Sequence, residues 1–260
     1  MKVCIIGSGN LAWHLAQALD SNGNRITDVY SRNKQNAHNL CKKLYHAEST
    51  SVLNFSESSA DLFIVCVSDD AIFSVISQIQ IPENKIIVHT SGTLSLDVFK
   101  ELNKFENYGV FYPVQTFTKS KQISFKNIPI CIEANNVQTE KNLEKMAFSI
   151  CENVCFIDSN DRKILHLAAV FACNFTTQLI QISKNVLEKN ALPFDIIKPL
   201  IAETIEKTLL IGPEKAITGP AIRNDYNIIE SHKKLLEKDK LVLDIYSKIT
   251  DSIIQTHRNQ

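Results

Sequence analysis

Lys2-Val3-Cys4-Ile5-Ile6-Gly7-Ser8-Gly9-Asn10-Leu11-Ala12-Trp13, running on to Gly23, is the stretch on which the reading of this chain turns. A short apolar run ends in glycine and a helical pattern begins at once. Leu11, Ala12, Leu15, Ala16 and Leu19 follow the 3.6-residue period, and Gly23 stands where a helix stops. The spacing Gly7-x-Gly9-x-x-Ala12 is the G-x-G-x-x-G/A fingerprint, with a strand before it and a helix after it. Gly7 permits the tight turn, Gly9 lets the backbone approach a pyrophosphate, and the small Ala12 lets the helix lie close on the strand. The helix N-terminus can then hold the anion. Dinucleotide binding through Gly7, Ser8, Gly9, Asn10, Leu11 and Ala12 is therefore expected.

The 260 residues suffice for one large or two medium domains, each with its own core. Lys plus Arg and Asp plus Glu are both 28, so no broad basic surface is expected and nucleic acid is a poor candidate partner. The apolar runs fall short of a membrane span, and Gly7-Ser8-Gly9 cuts the first of them too early for a signal sequence. Seven scattered cysteines, with no C-x-x-C pair, suggest free buried thiols in a reducing compartment and no metal site. A cytoplasmic location is expected.

Arg25 to Tyr30 reads as a second strand, and Ala37, Leu40, Cys41 and Leu44 mark a second helix. The turn between them faces the adenosine ribose in such folds. An acidic residue there bonds the 2′-hydroxyl, whereas an arginine accommodates a 2′-phosphate. The turn is Ser31-Arg32-Asn33, and Asp28 lies too far back in the strand to reach, so NADP is favoured over NAD.

Asp61 to Val67 is a third strand, apolar on both faces, ending at Ser68-Asp69-Asp70. The aspartates are N-cap candidates, yet Val67, Ser68 and Asp69 also stand at the strand end where these sheets bind ligands. Lys85 to His89 leads to Thr90-Ser91-Gly92, which makes His89 and Ser91 candidates for the cofactor, with a plain strand-end histidine as the alternative. Strands at 107–112, 128–133 and 153–157 complete an alternation with helices that predicts a doubly wound, mostly parallel sheet over residues 1–158.

From Ser159 the pattern is helical to the end, so residues 159–260 are expected to form an all-helical second domain. Asn160 or Asp161 can cap a long helix with apolar positions at Ile164, Ala168, Phe171, Phe175, Leu179, Ile182 and Val186, wide enough to be buried on several sides. His166 and Asn174 lie in this apolar segment and need partners, either in neighbouring helices or in a cleft. Ile197, Ile201, Ile205 and Leu209 read as the buried stripe of the next helix. The Gly212 to Asp225 segment is turn-rich; Arg223 is a candidate anion clamp and Asp225 a candidate cap.

The chain resembles a Rossmann-like family of uncharacterised NADP oxidoreductases with a C-terminal domain of unknown function. The matching motifs are Gly7 to Ala12, Val67-Ser68-Asp69-Asp70-Ala71-Ile72, His89-Thr90-Ser91-Gly92 and Tyr112-Pro113-Val114-Gln115-Thr116-Phe117. In the second half they are His166 to Phe175 and Thr218 to Asp225. The layout is more distantly similar to pyrroline-5-carboxylate reductases, deazaflavin-dependent NADP oxidoreductases and 6-phosphogluconate or 3-hydroxyacid dehydrogenases. This resemblance implies a helical domain that dimerises and helps cover the nicotinamide, and it moves His166, Asn174 and Arg223 toward a catalytic cleft. The hydroxyacid dehydrogenases carry a catalytic lysine on the long helix. Here Lys163 precedes the apolar stretch and His166 comes closest to that lysine's place, which suggests an imidazole as proton donor or acceptor. Hydride transfer to a small carbonyl, imine or hydroxyacid is the leading expectation. A non-catalytic NADP(H) sensor and a deazaflavin-dependent NADP reductase are the alternatives.

Overall fold

The computed structural model describes residues 1–257. Eight strands form one sheet: β1 (Lys2–Ile6), β2 (Arg25–Tyr30), β3 (Glu48–Thr50), β4 (Leu62–Val65), β5 (Ile86–His89), β6 (Asn107–Pro113), β7 (Ile130–Ala134) and β8 (Val154–Phe156). Their order is β3-β2-β1-β4-β5-β6-β7-β8, and only the β6–β7 pairing is antiparallel. The doubly wound, mostly parallel sheet is therefore as expected. Strand β3 has no apolar run to announce it: it is three residues long, Glu48-Ser49-Thr50, and sits at the polar edge of the sheet.

Alternate side chains of the inner strands face opposite layers. Val3 and Ile5 pack with Ala12, Leu15 and Leu19 of α1 (Asn10–Ser21), in a core that also holds Ala37 and Leu40 of α2 (Lys34–Cys41). Cys4 and Ile6 pack on the other side with Ile72 and Ile76 of α3 (Asp69–Gln78) and Phe99 of the short α4 (Asp97–Lys100). Helix α5 (Val137–Phe148) covers the far end of the first layer through Leu143 and Met146.

The long helix begins as α6 (Ser159–Ala169), passes through a π-helical stretch at Val170–Phe175 and continues as α7 (Thr176–Lys189). Its cap is Asp158, one position ahead of the expected Asn160 or Asp161. Asp158 has extended backbone, and its carboxylate accepts from the amides of Asn160 and Asp161. The chain divides into two compact units, Met1–Val170 and Phe171–Gln260, and the division falls within the long helix.

The second unit contains α7, a 3₁₀ turn at Phe194–Ile197, α8 (Lys198–Ile211), α9 (Pro213–Ala216), α10 (Tyr226–Leu235) and α11 (Lys240–His257). Two burial expectations are corrected here. No residue of α7 is buried, and Phe171, Phe175, Leu179 and Val186 are all exposed. The proposed stripe on α8 is likewise open, with Leu209 83% exposed. Both faces have the right period but are left largely open among the described residues. The helix Ser159–Lys189 is also long and apolar enough, by length and composition, to cross a membrane, contrary to the expectation that no stretch is. All seven cysteines are free; Cys155 and Cys173 are exposed rather than buried.

Candidate active site

The glycine turn is built as its spacing requires. Gly7 has φ +129°, and a Cβ there would lie 2.3 Å from the Cys66 carbonyl oxygen, so β4 leaves no room for a side chain. Gly9 is the N-cap of α1, and a Cβ on it would meet nothing within 4 Å. That open space lies at the α1 N-terminus, where the helix offers unpaired amides and carries no acidic residue in its first turn. The arrangement fits a pyrophosphate.

A groove of about 570 Å³ runs from this turn. Gly7, Ser8, Gly9, Asn10, Ser31, Arg32, Asn33, Val67 and Ser68, nine of the residues the sequence offered for the cofactor, line it. Ser8 Oγ donates to Ser31 Oγ at 2.9 Å, tying the turn to the end of β2. Arg32 is exposed and has no ion-pair partner among the described residues, while Asn33 caps α2 by accepting from the Gln35 amide. Asp28 accepts from Ser58 Oγ and does not line the groove, and no carboxylate lines it among the described residues.

Five expected cofactor contacts are not groove-lining. Ala12 is fully buried against the sheet and the partly buried Leu11 packs on the core, so both shape the helix seat. Asp69 lies in the first turn of α3, behind the N-cap Ser68, and accepts from Thr93 Oγ1 at 2.7 Å. Ser91 is buried, its hydroxyl accepting from the amides of Thr93 and Leu94. His89 has zero exposure: its Nδ1 accepts from the Ser91 amide and its ring stacks on Phe99 at 5.6 Å. Burial, reinforced by the Arg162 charge, pushes its pKa down to about 3. His89 is a neutral core residue.

A second cluster stands at the C-terminal ends of β5 and β6. Tyr112 Oη lies 3.3 Å from His166 Nδ1, and their rings meet edge to face at 6.3 Å. Gly92 makes this possible, because a Cβ there would come 2.6 Å from His166 Nδ1 and 2.9 Å from Tyr112 Cζ. His166 is half-buried, and its helix start is pinned one turn earlier. Arg162, 1% exposed, pairs with Glu133 of β7 and donates to the Leu94 carbonyl. Ser159 Oγ donates to the same carboxylate and accepts from the Leu96 amide. Since Arg162 and His166 are four residues apart, they share a helix face.

The other two expected catalytic residues lie in the second unit. Asn174 is exposed within the π-helical stretch, whose wider turn shifts the helix phase by roughly 100° for one extra residue; the face assigned by a uniform 3.6 period does not hold there. Arg223 is paired within its own loop: its guanidinium binds Asp225 Oδ2 at 2.9 Å through both Nε and a terminal nitrogen. That engagement also explains why Asp225, although the N-cap of α10, makes no side-chain capping bond.

Sequence reasoning missed Arg162 and Lys119, and treated Tyr112 and Gly92 only as parts of motifs. Charge on a capped helix start reads as solvated, and a lysine in an irregular segment carries no periodic signal. Lys119 lines the groove and donates to the Ser8 carbonyl at 2.8 Å.

Fold and groove together define a dinucleotide-binding oxidoreductase architecture. Residues 2–92 match the family model described as NADP oxidoreductase, coenzyme F420-dependent, and residues 128–253 match a domain of unknown function. The chain is 40% identical to a protein of Bacteroides fragilis described as a "putative NADP oxidoreductase", with 98% of each chain covered and a TM-score of 0.90. It belongs to that family of NADP oxidoreductases, and NADP is its cofactor. At 12% identity it shares the fold of a reductive aminase from Aspergillus terreus, solved with NADPH and ethyl-5-oxohexanoate (TM-score 0.75; 99% and 93% of the two chains). At 11% it shares the fold of an imine reductase from Streptomyces aurantiacus (TM-score 0.70; all of both chains). No curated protein matches the chain.

Proposed function

We propose that this protein catalyses NADPH-dependent reduction of a small imine or carbonyl compound, with His166 as the proton donor. The observation that carries the reading is the Tyr112–His166 pair held over Gly92. The groove lies at the ends of β1, β2 and β4, and the pair lies at the ends of β5 and β6, on the same carboxyl edge of the sheet. A dinucleotide anchored at the switch between β1 and β4 extends along that edge toward the pair. The cofactor supplies the hydride when bound. Gly7 to Asn10 hold its phosphates, Ser31-Arg32-Asn33 receive the 2′-phosphate, and Val67-Ser68 flank the strand end.

The protein's own part is the proton. With the Tyr112 phenol donating to Nδ1, the His166 ring carries its proton on Nε2; as that proton passes to the nitrogen or oxygen that gains the electron pair on hydride addition, Nδ1 takes the phenol proton, the ring stays neutral and solvent reprotonates the Tyr112 phenolate. The pinned Arg162–Glu133 contact sets where the ring stands. The reductive aminase and imine reductase of similar fold support an imine as the substrate class. The coenzyme in the matched family model's description supports one second reading, in which reduced deazaflavin is the hydride partner. A panel of cyclic imines and small ketones with NADPH, run beside NADP with reduced deazaflavin, decides between them. NADPH consumption that depends on an imine supports the first reading, and consumption only of reduced deazaflavin supports the second.

We also propose that a second copy of the chain covers the apolar faces of the helical unit. Phe171, Phe175, Leu179, Leu209, Leu210, Leu235 and Leu241 are all exposed, more large apolar surface than a monomer ordinarily leaves in water. A groove of about 650 Å³ between α7, α10 and α11, lined by Ile182, Val186, Leu235, Val242 and Ile245, adds to that face. Sedimentation at micromolar concentration should give a dimer; a monomer alone would refute it. The free thiols support a reducing, cytoplasmic setting.

A further inference from the structure

We infer that Lys119 is a phosphate clamp, an ammonium carried across the glycine turn to close on the cofactor's pyrophosphate. The inference rests on the assignment of the groove to NADP, and it concerns a residue from outside the nucleotide-binding fingerprint. Lys119 sits in the segment between β6 and β7, more than a hundred residues after the turn it touches. Its Nζ donates to the Ser8 carbonyl at 2.8 Å and stands 5.2 Å from the centre of the Trp13 ring. It borders both the main groove and an adjoining hollow lined by Trp13, Asn36, Asn39, Lys42 and Lys43.

The segment is docked, which holds the ammonium in place. His14 Nε2, on α1, bonds the Thr118 carbonyl at 2.9 Å. Phe117 stacks on His14 at 5.8 Å and on the buried Phe125 at 5.7 Å. Residues 117 and 118 are therefore fastened to the very helix whose N-terminus faces the groove.

The electrostatics identify the ligand. The N-terminus of α1 is the positive end of a helix of 12 residues, with no acidic side chain in its first turn and no side-chain cap. Placing a second positive group against it is unfavourable unless an anion lies between them. No carboxylate pairs with Lys119 among the described residues. One of its three donors is used on Ser8, so further donors remain for phosphate oxygens while that anchor stays in place. The contact with Ser8 places the charge at the turn, the pyrophosphate position. Arg32, at the end of β2, serves the 2′-phosphate.

The test is a binding titration of the full chain, by NADPH and NADH fluorescence, for wild type, Lys119→Met, Lys119→Arg and Arg32→Ala. Lys119 is exposed, so its replacement should leave the unfolding curve unchanged. Loss of one charge-assisted hydrogen bond to phosphate should weaken NADPH and NADH alike, each by about tenfold, with Lys119→Arg recovering most of the loss. Arg32→Ala should weaken NADPH alone. Unchanged affinity of Lys119→Met for both nucleotides would overturn the clamp. Weakening of NADPH with NADH untouched would overturn the pyrophosphate assignment and move the contact to the 2′-phosphate. Failure of the wild-type protein to bind either nucleotide would overturn the groove assignment, and the clamp with it.

Discussion

Replacing His89 by Gln separates two roles that a strand-end histidine can play. In the folded chain the ring has zero exposure, bonds Ser91 and stacks on Phe99, and its pKa is pushed down to about 3, first by burial and then by the Arg162 charge. In the unfolded chain the same ring titrates at about 6.5. The folded value is depressed and the group is a base, so between these two values the unfolded state binds more protons than the folded one. Stability therefore rises with pH across this window. The contribution is fully present above about pH 6.5 and is lost as pH falls toward 3. At pH 5 the loss is one and a half pH units below the unfolded value, or about 2 kcal/mol at about 1.4 kcal/mol per unit. That is a sizeable part of a typical total of about 5–15 kcal/mol.

Urea unfolding at pH 7.5 and pH 5 measures this. Trp13, the one tryptophan of the chain, lies on α1 and reports on the first unit. Other histidines and carboxylates titrate in both proteins, so the difference between wild type and His89→Gln isolates the buried ring. Wild type should lose about 2 kcal/mol more than the variant on going to pH 5, with NADPH affinity the same in both. Parallel losses would mean that His89 is protonated in the folded protein. A large loss of NADPH affinity in the variant would return His89 to the cofactor.

Two further substitutions probe the scaffold of the His166 cluster. Gly92→Ala should push the His166 ring off its contact with Tyr112 by close to an ångström, since the new carbon would otherwise stand 2.6 Å from Nδ1. Imine or ketone turnover, followed as NADPH consumption, should then fall on the order of a hundredfold while NADPH affinity is kept. Glu133→Ala strands the guanidinium of Arg162, which is 1% exposed, and should destabilise the first unit by about 3–5 kcal/mol in urea unfolding, with Glu133→Gln less damaging.

Periodicity made the sheet and its flanking helices legible, because strands β1, β4 and β5 are apolar on both faces and the helices between them keep a strict stripe. The glycine turn was legible for a different reason: Gly7 occupies a backbone conformation and a tight contact that other residues cannot. Ser31-Arg32 could be read because its position follows from the end of a strand. The burial of His89 was not legible because a strand end looks the same in sequence whether the loop beyond it exposes the ring or folds Phe99 over it. The pairing of Arg223 was not legible because its partner, Asp225, was itself a plausible cap. Lys119 and Arg162 depend on contacts across many residues, Ser8 for one and Glu133 for the other, and no local pattern encodes those. The apolar stripes of α7 and α8 were read as buried and are open among the described residues, because a stripe carries the period of a face but does not name the element that packs on it.

Deuterium transfer tests NADPH-dependent reduction with a proton from His166. NADPH labelled at the nicotinamide C4 is incubated with wild type and His166→Ala across cyclic imines and small ketones, and the products are examined by mass spectrometry. Deuterium should appear in a reduced product from one face of the nicotinamide only. His166→Ala should form this product about a hundredfold or more slowly, with NADPH affinity unchanged. Tight NADPH binding by the wild-type protein with no deuterium in any product, or equal rates in the two proteins, would contradict this mechanism.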